Sequence, residues 1–491
     1  MKVPAFKTIA FALALSLSLN QTTPSVLANE PASGEIVKAI EADLADAERI
    51  VASEIDVKLD RGVVTLGGTV NSILDRDLAS EIAKRTRGVQ AVVNQILVQR
   101  SDRSDDSIHE DVQRVLITNS SVDEPQIVVA VNQGEVSMTG EVDSLAEKRI
   151  AGFVASGVRG VVSINNQLTV AMSSDRTDTD LRDEISALIH HSVYLDDVEV
   201  EIAVDEGVVK LTGNVHSALQ KDHLERIAEI WGVAAVDVRN IRVDPTADGR
   251  AIRQKRYESV TDESIKEALQ RAYRVDPILF SRADAIEINV SIGRVSLSGS
   301  VDRLRVKNRA EKLAGDVIGV RAVSNNIELQ LPGKPPTDIE IVHETQDALA
   351  RSAHLDRRDI RVHSQAAHVS LYGVVESELE KRVAQWVADG VTGVVHVNNS
   401  LAVEREWEQK SDEQIKTALE RKLRFAFYEE SDDLSVDVQG GVAIIKGTVD
   451  TWRQWQTVMD LAIEAGSRHP HNLVNVQYHP PHGASDIYVP H

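Results

Sequence analysis

Apolar and polar positions along this chain alternate with two different periods, and the periods follow one another in a fixed order. In Ile55–Asp60 (IDVKLD) apolar Ile55, Val57 and Leu59 alternate with charged Asp56, Lys58 and Asp60. Val198, Val200, Ile202 and Val204 alternate in the same way with Glu199, Glu201 and Asp205. A period of two with one charged face predicts a strand in a sheet covered on one side only. A short turn closing on glycine follows, as in Asp60-Arg61-Gly62 and Asn132-Gln133-Gly134. A second alternating run then predicts a hairpin. After it the period lengthens to that of a helix.

The second run is a repeat. It reads GVVTLGGTV at Gly62–Val70, GEVSMTGEV at Gly134–Val142, GVVKLTGNV at Gly207–Val215, GRVSLSGSV at Gly293–Val301, AHVSLYGVV at Ala367–Val375 and GVAIIKGTV at Gly441–Val449. Fourteen residues after the second glycine stands Ile82, Val154, Ile227, Leu313, Val387 or Leu461. The next residue is alanine in all six copies: Ala83, Ala155, Ala228, Ala314, Ala388 and Ala462. With Ala79, Ala151, Leu224, Ala310, Ala384 and Val458 three places earlier, these positions form one face of a helix lying close on a sheet. A leading helix precedes each hairpin, as at Ile265, Ala268, Leu269 and Ala272, with Ser107, Thr261 and Ser411 as expected caps. A closing strand such as VVNQILV (Val92–Val98) completes each unit. A strand–helix–strand step places that strand parallel to its neighbour by a right-handed crossover.

The expected fold class is therefore α+β. It is a tandem repeat of six small αββαβ units, each a three-stranded mixed sheet with two helices on one face. The expected boundaries are 35–98, 107–171, 179–243, 261–330, 337–403 and 411–477, followed by an irregular tail at 478–491. Units this small have marginal cores and gain from packing on one another. The stretch Asp244–Val260, with Arg250, Arg253, Lys255 and Arg256, reads as a solvated linker dividing three units from three. Ala367 stands where the other copies have the turn glycine; that turn either differs or strains the alanine by about 1–2 kcal/mol.

Residues 1–28 read as a signal peptide. Lys2 and Lys7 precede an apolar run from Ile9 to Leu19, and Val26-Leu27-Ala28 offers cleavage after Ala28. No later stretch is long and apolar enough for a transmembrane segment, so the mature chain is expected to be soluble. Of the 491 residues none is cysteine, which removes disulfides and thiol chemistry. A net charge of −22 argues against nucleic acid as a partner and disfavours general contact with anionic membranes.

With its GxVxLxGxV strand, its paired aliphatic and alanine positions and its GV…VxN ending, as at Gly319-Val320 with Asn325, the unit resembles the BON domain (bacterial osmotic-stress and nodulation domain). Multi-copy exported chains of this kind are similar to osmotically inducible periplasmic proteins. The resemblance implies a periplasmic, non-enzymatic protein that binds phospholipid surfaces and supports envelope integrity. In two-copy relatives one copy usually makes that contact, so lipid contact is not expected of every unit.

Peripheral contact with anionic phospholipid calls for cations beside interfacial aromatics. Unit six fits best, through Lys422, Arg424, Phe425, Phe427 and Tyr428 at the end of its leading helix, and Arg453 and Trp455 at the start of its second. Trp452 aligns with Leu145 and Leu304 and reads as a core-edge residue; Trp455 aligns with charged positions and reads as exposed. The late histidines His469, His471, His479, His482 and His491 match no metal spacing, so no metal or other cofactor is expected. No elbow serine, zinc-protease or phosphate-loop motif occurs, so no enzyme is expected. The alternative is a protein-binding scaffold or chaperone-like module whose partners are envelope proteins.

Overall fold

Each repeat folds as its change of period dictates. The structure, a computed structural model, describes residues 33–47, 54–86, 88–118, 127–171, 176–247, 249–330, 333–352, 355, 360–375, 378–403, 410–427, 433–467 and 470–477. The expected signal peptide and tail lie outside the described residues.

Unit four shows the plan. A leading helix, Asp262–Val275, is followed by a hairpin of Ile286–Ser291 and Arg294–Val301, then the crossover helix Leu304–Gly315 and the closing strand, split into Ala322–Asn325 and Glu328–Leu329. The hairpin strands pair antiparallel, and the closing strand runs parallel to the middle one. Ile265, Leu269 and Tyr273 of one helix and Ala310 and Ala314 of the other meet Ile288, Val295 and Leu297 on one face of the sheet. The six repeat alanines, Ala83 through Ala462, are all buried. A residue larger than alanine there would push the helix off the sheet.

The repeated glycines and polar residues have local causes. A Cβ on Gly68 or Gly299 would lie 1.9 or 2.1 Å from the carbonyl oxygen of Glu54 or Ala285, the residue just before the first hairpin strand. The turn before the middle strand takes two consecutive residues with positive φ, for example Ile292 and Gly293 at 51° and 68°. Ala366 and Ala367 adopt this same turn, at 51° and 63°. The turn of unit five therefore does not differ; its alanine carries the strain. An aspartate at the start of the leading helix holds the turn. Asp262 accepts from the Ile292 and Gly293 N–H groups at 2.8 Å each, and Asp105, Asp178, Asp338 and Asp412 do the same in units two, three, five and six. The closing-strand asparagine is also structural. Asn94, Asn166, Asn325, Asn399 and Asn472 each donate to a crossover-helix carbonyl, those of Arg76, Lys148, Lys307, Lys381 and Trp455. Thr261 and Ser411 cap as expected. Ser107 does not: it lies inside its helix, and the Ser104 hydroxyl accepts from its N–H.

The linker expectation is corrected. Arg250–Glu258 is a helix seated on unit three. Buried Arg256 donates to the carbonyls of Ile189, Leu195 and Val198, and the Tyr257 hydroxyl lies 3.1 Å from Asp196. Carbonyls at the end of the unit-three leading helix and in the connection that follows it thus receive the guanidinium of the basic helix.

The units close into two rings through their crossover helices. The residue nine places after the second glycine of one unit meets the residue sixteen places after it in the next: Arg149 with Glu229 at 2.6 Å, Asp222 with Lys84, and Asn308 with Asp389 at 3.0 Å. The residue opening the crossover helix projects into the neighbouring core, so Ile73 joins the core of unit two, Leu145 that of unit three, Leu304 that of unit five and Trp452 that of unit four. Arg382 reaches Glu464 at 3.9 Å between units five and six. These contacts run one-two-three-one and four-five-six-four. The two rings are joined by three pairs of units. Val158 bridges Ser352 between units two and five, and Ser192 bridges Val317 between three and four. Between units one and six, Asp43 and Asp46 face Arg421 and Lys422.

Candidate functional site: the sixth unit and its seams

The leading helix of unit six, Asp412–Phe427, buries Ile415, Ala418, Leu419 and Leu423 against its sheet. That stripe fixes where the intervening cations point. Lys422, flanking Leu423, turns into the seam with unit one. Its side chain is only 7% exposed, with Asp46 at 3.6 Å, Asp43 at 3.7 Å and Glu464 at 3.8 Å. Arg421, on the same helix, shares this cluster at 2.6 Å from Asp46. Arg424, one step further round the helix, is exposed. The side chains of Phe425, Phe427 and Tyr428 lie outside the described residues.

The crossover helix, Trp452–Glu464, starts with a capping box in which Thr451 accepts from the Gln454 N–H. Both tryptophans follow from that start. The Trp452 backbone N–H donates to the Val320 carbonyl and its ring packs on the core of unit four, so it is a core residue of its neighbour rather than of its own unit's edge. Trp455 stacks on Trp452 with ring centroids 4.7 Å apart and planes 4° from parallel. It is half-buried against its own core rather than fully exposed. Arg453 also turns inward: its Nε donates to Asp316 at 2.6 Å and its Nη2 to the Lys312 carbonyl at 3.1 Å. The Tyr194 hydroxyl of unit three donates to the same Asp316 at 3.1 Å. Three units thus meet at one carboxylate.

The structure does not bring the singled-out cations together on one open face. Lys422 and Arg453 are held in two separate seams, Trp455 lies beneath Trp452, and Arg424 alone among them is open to solvent. Sequence reasoning missed the aspartate clamps and the cross-ring ion pairs. The clamps had a signal: an aspartate 28 and 29 residues before the turn pair in units two, three, five and six, and 30 and 31 residues before it in unit four. The ion pairs had one only for a reader who already knew that nine meets sixteen across units.

Titration behaviour marks packing rather than chemistry. Burial pushes the Asp196 carboxyl up to about 6, against the pull of Arg253 3.2 Å away. Burial drives the His223 imidazole down to about 3; its ring lies 4.5 Å from that of Tyr194. Among the described residues no group of three or more histidines and carboxylates is placed to hold a metal ion, and no helix is long and apolar enough to cross a membrane.

Comparison with known proteins agrees with this repeat plan. The BON domain family matches residues 33–100, 104–172, 177–245, 261–330, 337–405 and 411–478. Osmotically-inducible protein Y of Escherichia coli (strain K12) is 30% identical over 140 residues, which is 27% of this chain and 70% of that protein. Among solved structures, the C-terminal domain of CdsD, the structural protein of the type III secretion system of Chlamydia trachomatis, aligns at 15% identity over 46% of this chain and 99% of its own, with a TM-score of 0.13. A second structure of CdsD aligns at 14% identity over 48% of this chain and 96% of its own, again with a TM-score of 0.13. Scores this low carry no weight for fold or function. The glycine hairpins, buried alanines and six successive matches agree: the chain belongs to the BON domain family and carries six copies of the domain.

Proposed function

We propose that this protein is exported to the periplasm, with its signal peptide cleaved after Ala28, and acts there without catalysis. In this reading it associates with anionic phospholipid at the envelope surface and supports envelope integrity under osmotic stress. The six BON matches carry the reading, and the name of the similar Escherichia coli protein supports the osmotic part. The contact lies at the end of the unit-six leading helix. Arg424 supplies an exposed cation, and Phe425, Phe427 and Tyr428 supply interfacial aromatics. Lys422, Arg453 and Trp455 serve that end from behind, by locking unit six against units one and four. A chain of net charge −22 needs such a local basic point, because its mean field opposes the approach.

The test is co-sedimentation of the mature chain with phosphatidylglycerol vesicles and with phosphatidylcholine vesicles. Binding to the anionic vesicles that weakens with salt, and that falls several-fold in Arg424→Ala, is expected. Failure to pellet with either vesicle overturns the reading. Equal pelleting of the Arg424→Ala protein overturns the site. A second reading, a scaffold for envelope proteins, has one observation in its favour: Val128, Tyr372, Val374 and Leu473 stand exposed on strands of three of the sheets. Stoichiometric capture of a defined envelope protein without vesicle binding would select it.

A further inference from the structure

Between the two rings, where units one, two, four and five come together, lies a groove of about 1190 Å³. Its walls include Leu74, Leu78, Phe153, Val154, Trp386 and Val387. Phe153 and Trp386 occupy equivalent places in units two and five and meet edge-on across the ring boundary, 6.2 Å between centroids at 81°. Both stay about half exposed, at 53% and 45%, because the groove lies open beside them. In a chain with only 4% aromatic residues, two large rings facing an unfilled apolar space call for an occupant.

The polar end of the groove has a direct internal comparison. Arg305 and Arg453 hold the same position in units four and six, and each reaches across to the next unit of its ring. Arg453 finds the carboxylate of Asp316 at 2.6 Å. At the place equivalent to Asp316, unit five has Gly390. A Cβ there would lie 1.9 Å from the Nη2 of Arg305, so the guanidinium occupies the space that a side chain would need. Arg305 lies over the Trp386 ring at 4.4 Å and donates Nη2 to the Trp386 carbonyl, while its Nε is buried with no acceptor. The nearby Asp389 is engaged by Asn308 at 3.0 Å and Gln385 at 3.1 Å. Among the described residues no carboxylate lies within ion-pair distance of Arg305. The other arginines lining the groove do have partners, Glu344 for Arg351 and Glu464 for Arg382. An arginine that elsewhere in the same fold takes a carboxylate is here left without one, beside the apolar wall of a groove whose lining also carries Asp77, Glu81, Glu340 and Glu344.

We propose that this groove binds one long-chain fatty acid, with its carboxylate on Arg305 in the role that Asp316 plays for Arg453 and its alkyl chain against Leu74, Leu78, Phe153 and Trp386. The apolar wall supplies chain affinity without direction. The single unmatched guanidinium sets polarity and limits the head to one carboxylate. This site is separate from the surface contact proposed above and does not depend on it.

The test is calorimetric titration of the full mature chain with laurate and with dodecanol, an alkyl chain of the same length without charge. Saturable binding of one laurate per chain is expected, with dodecanol weaker. Arg305→Gln should weaken laurate about tenfold, the factor that a lost charge-assisted hydrogen bond supplies, and leave dodecanol unchanged. Gly390→Asp, which restores the missing carboxylate, should block laurate in a protein whose melting temperature is not lowered. No saturable laurate binding overturns the proposal. So does equal affinity for the acid and the alcohol, or an Arg305→Gln protein that binds laurate as the parent does. A chain that pellets with phosphatidylglycerol vesicles yet takes up no free laurate also overturns it, and leaves the surface reading intact.

Discussion

Ala367 condenses the residue-scale physics of the repeat. Five units place glycine at the second turn position, where φ is positive, and one places alanine in the same backbone state. A Cβ in the left-handed region crowds the following carbonyl oxygen. Ala367→Gly is expected to stabilise unit five by about 1 kcal/mol in urea unfolding, with part of the gain offset by the entropy that glycine adds to the unfolded chain. An unchanged midpoint would mean that the turn relaxes. The strain was legible, because one copy departed from five others at a position with a single steric demand. The Asp338 clamp was not, although it holds the same turn by accepting from the Ala366 and Ala367 N–H groups. Its carboxyl is held below the usual carboxylate range, first by the Ser364 hydroxyl and then by the Ala367 N–H. A lone aspartate at a helix start reads equally well as an ordinary first-turn acid. Only the fold brings that helix end to the turn.

Elements differ in how far their own sequence decides their surroundings. Hairpin and crossover helix were both legible, because a buried face imposes a period and the period shows. What lies beyond the helix did not show. Trp452 has the spacing of a core residue, yet the core that it fills is in unit four. Trp452→Ala should therefore destabilise the chain by about 3 kcal/mol, and hydrogen exchange should quicken in unit four as well as in unit six. Exchange that changes in unit six alone would contradict the seam. His223, on the crossover helix of unit three, gives the pH counterpart. Burial lowers its folded pKa to about 3, below the ordinary 6.5. Its contribution to stability is therefore whole above pH 6.5 and declines as pH falls toward 3, because the unfolded chain takes up the proton first. The loss at pH 5 is on the order of 1–2 kcal/mol. Asp196, pushed up to about 6, acts in the opposite sense: its folded form keeps the proton longer, so its contribution is lost as pH rises through 6. The clean observable is the difference between parent and His223→Gln, which should shrink the fall in melting temperature between pH 7 and pH 5. Identical pH profiles would show that the ring is solvated.

At the scale of the whole molecule, six marginal cores become one body because each ring closes on itself and the rings join through three pairs of units. The basic stretch Arg250–Glu258 belongs to this body, since Arg256 is buried against unit three. A cut after Ser259 leaves that helix with the first ring. Separately produced halves 33–259 and 260–478 should be less stable than the whole and should combine one to one, read by light scattering coupled to gel filtration. Halves that remain monomeric on mixing would contradict the ring-to-ring contacts. Lys422 belongs to the same scale. Lys422→Glu places a fourth acid among Asp43, Asp46 and Glu464 and should loosen unit one from unit six.

The sequence alone determined the unit: its strands, its helices, the alanines of its seam and the number of copies. Each of these follows from contacts within some seventy residues, and so leaves a period or a spacing in the chain. The tertiary structure alone decided which cations face solvent and which face a neighbour. Lys422, Arg424 and Arg453 are chemically alike as residues in a chain, and their difference arises from surfaces several units apart in sequence. The same reason hid the groove beside Arg305. It is made by four units that share no local pattern, and its polar end is defined by an absence, Gly390 where another unit has Asp316, which has meaning only once the two rings are closed.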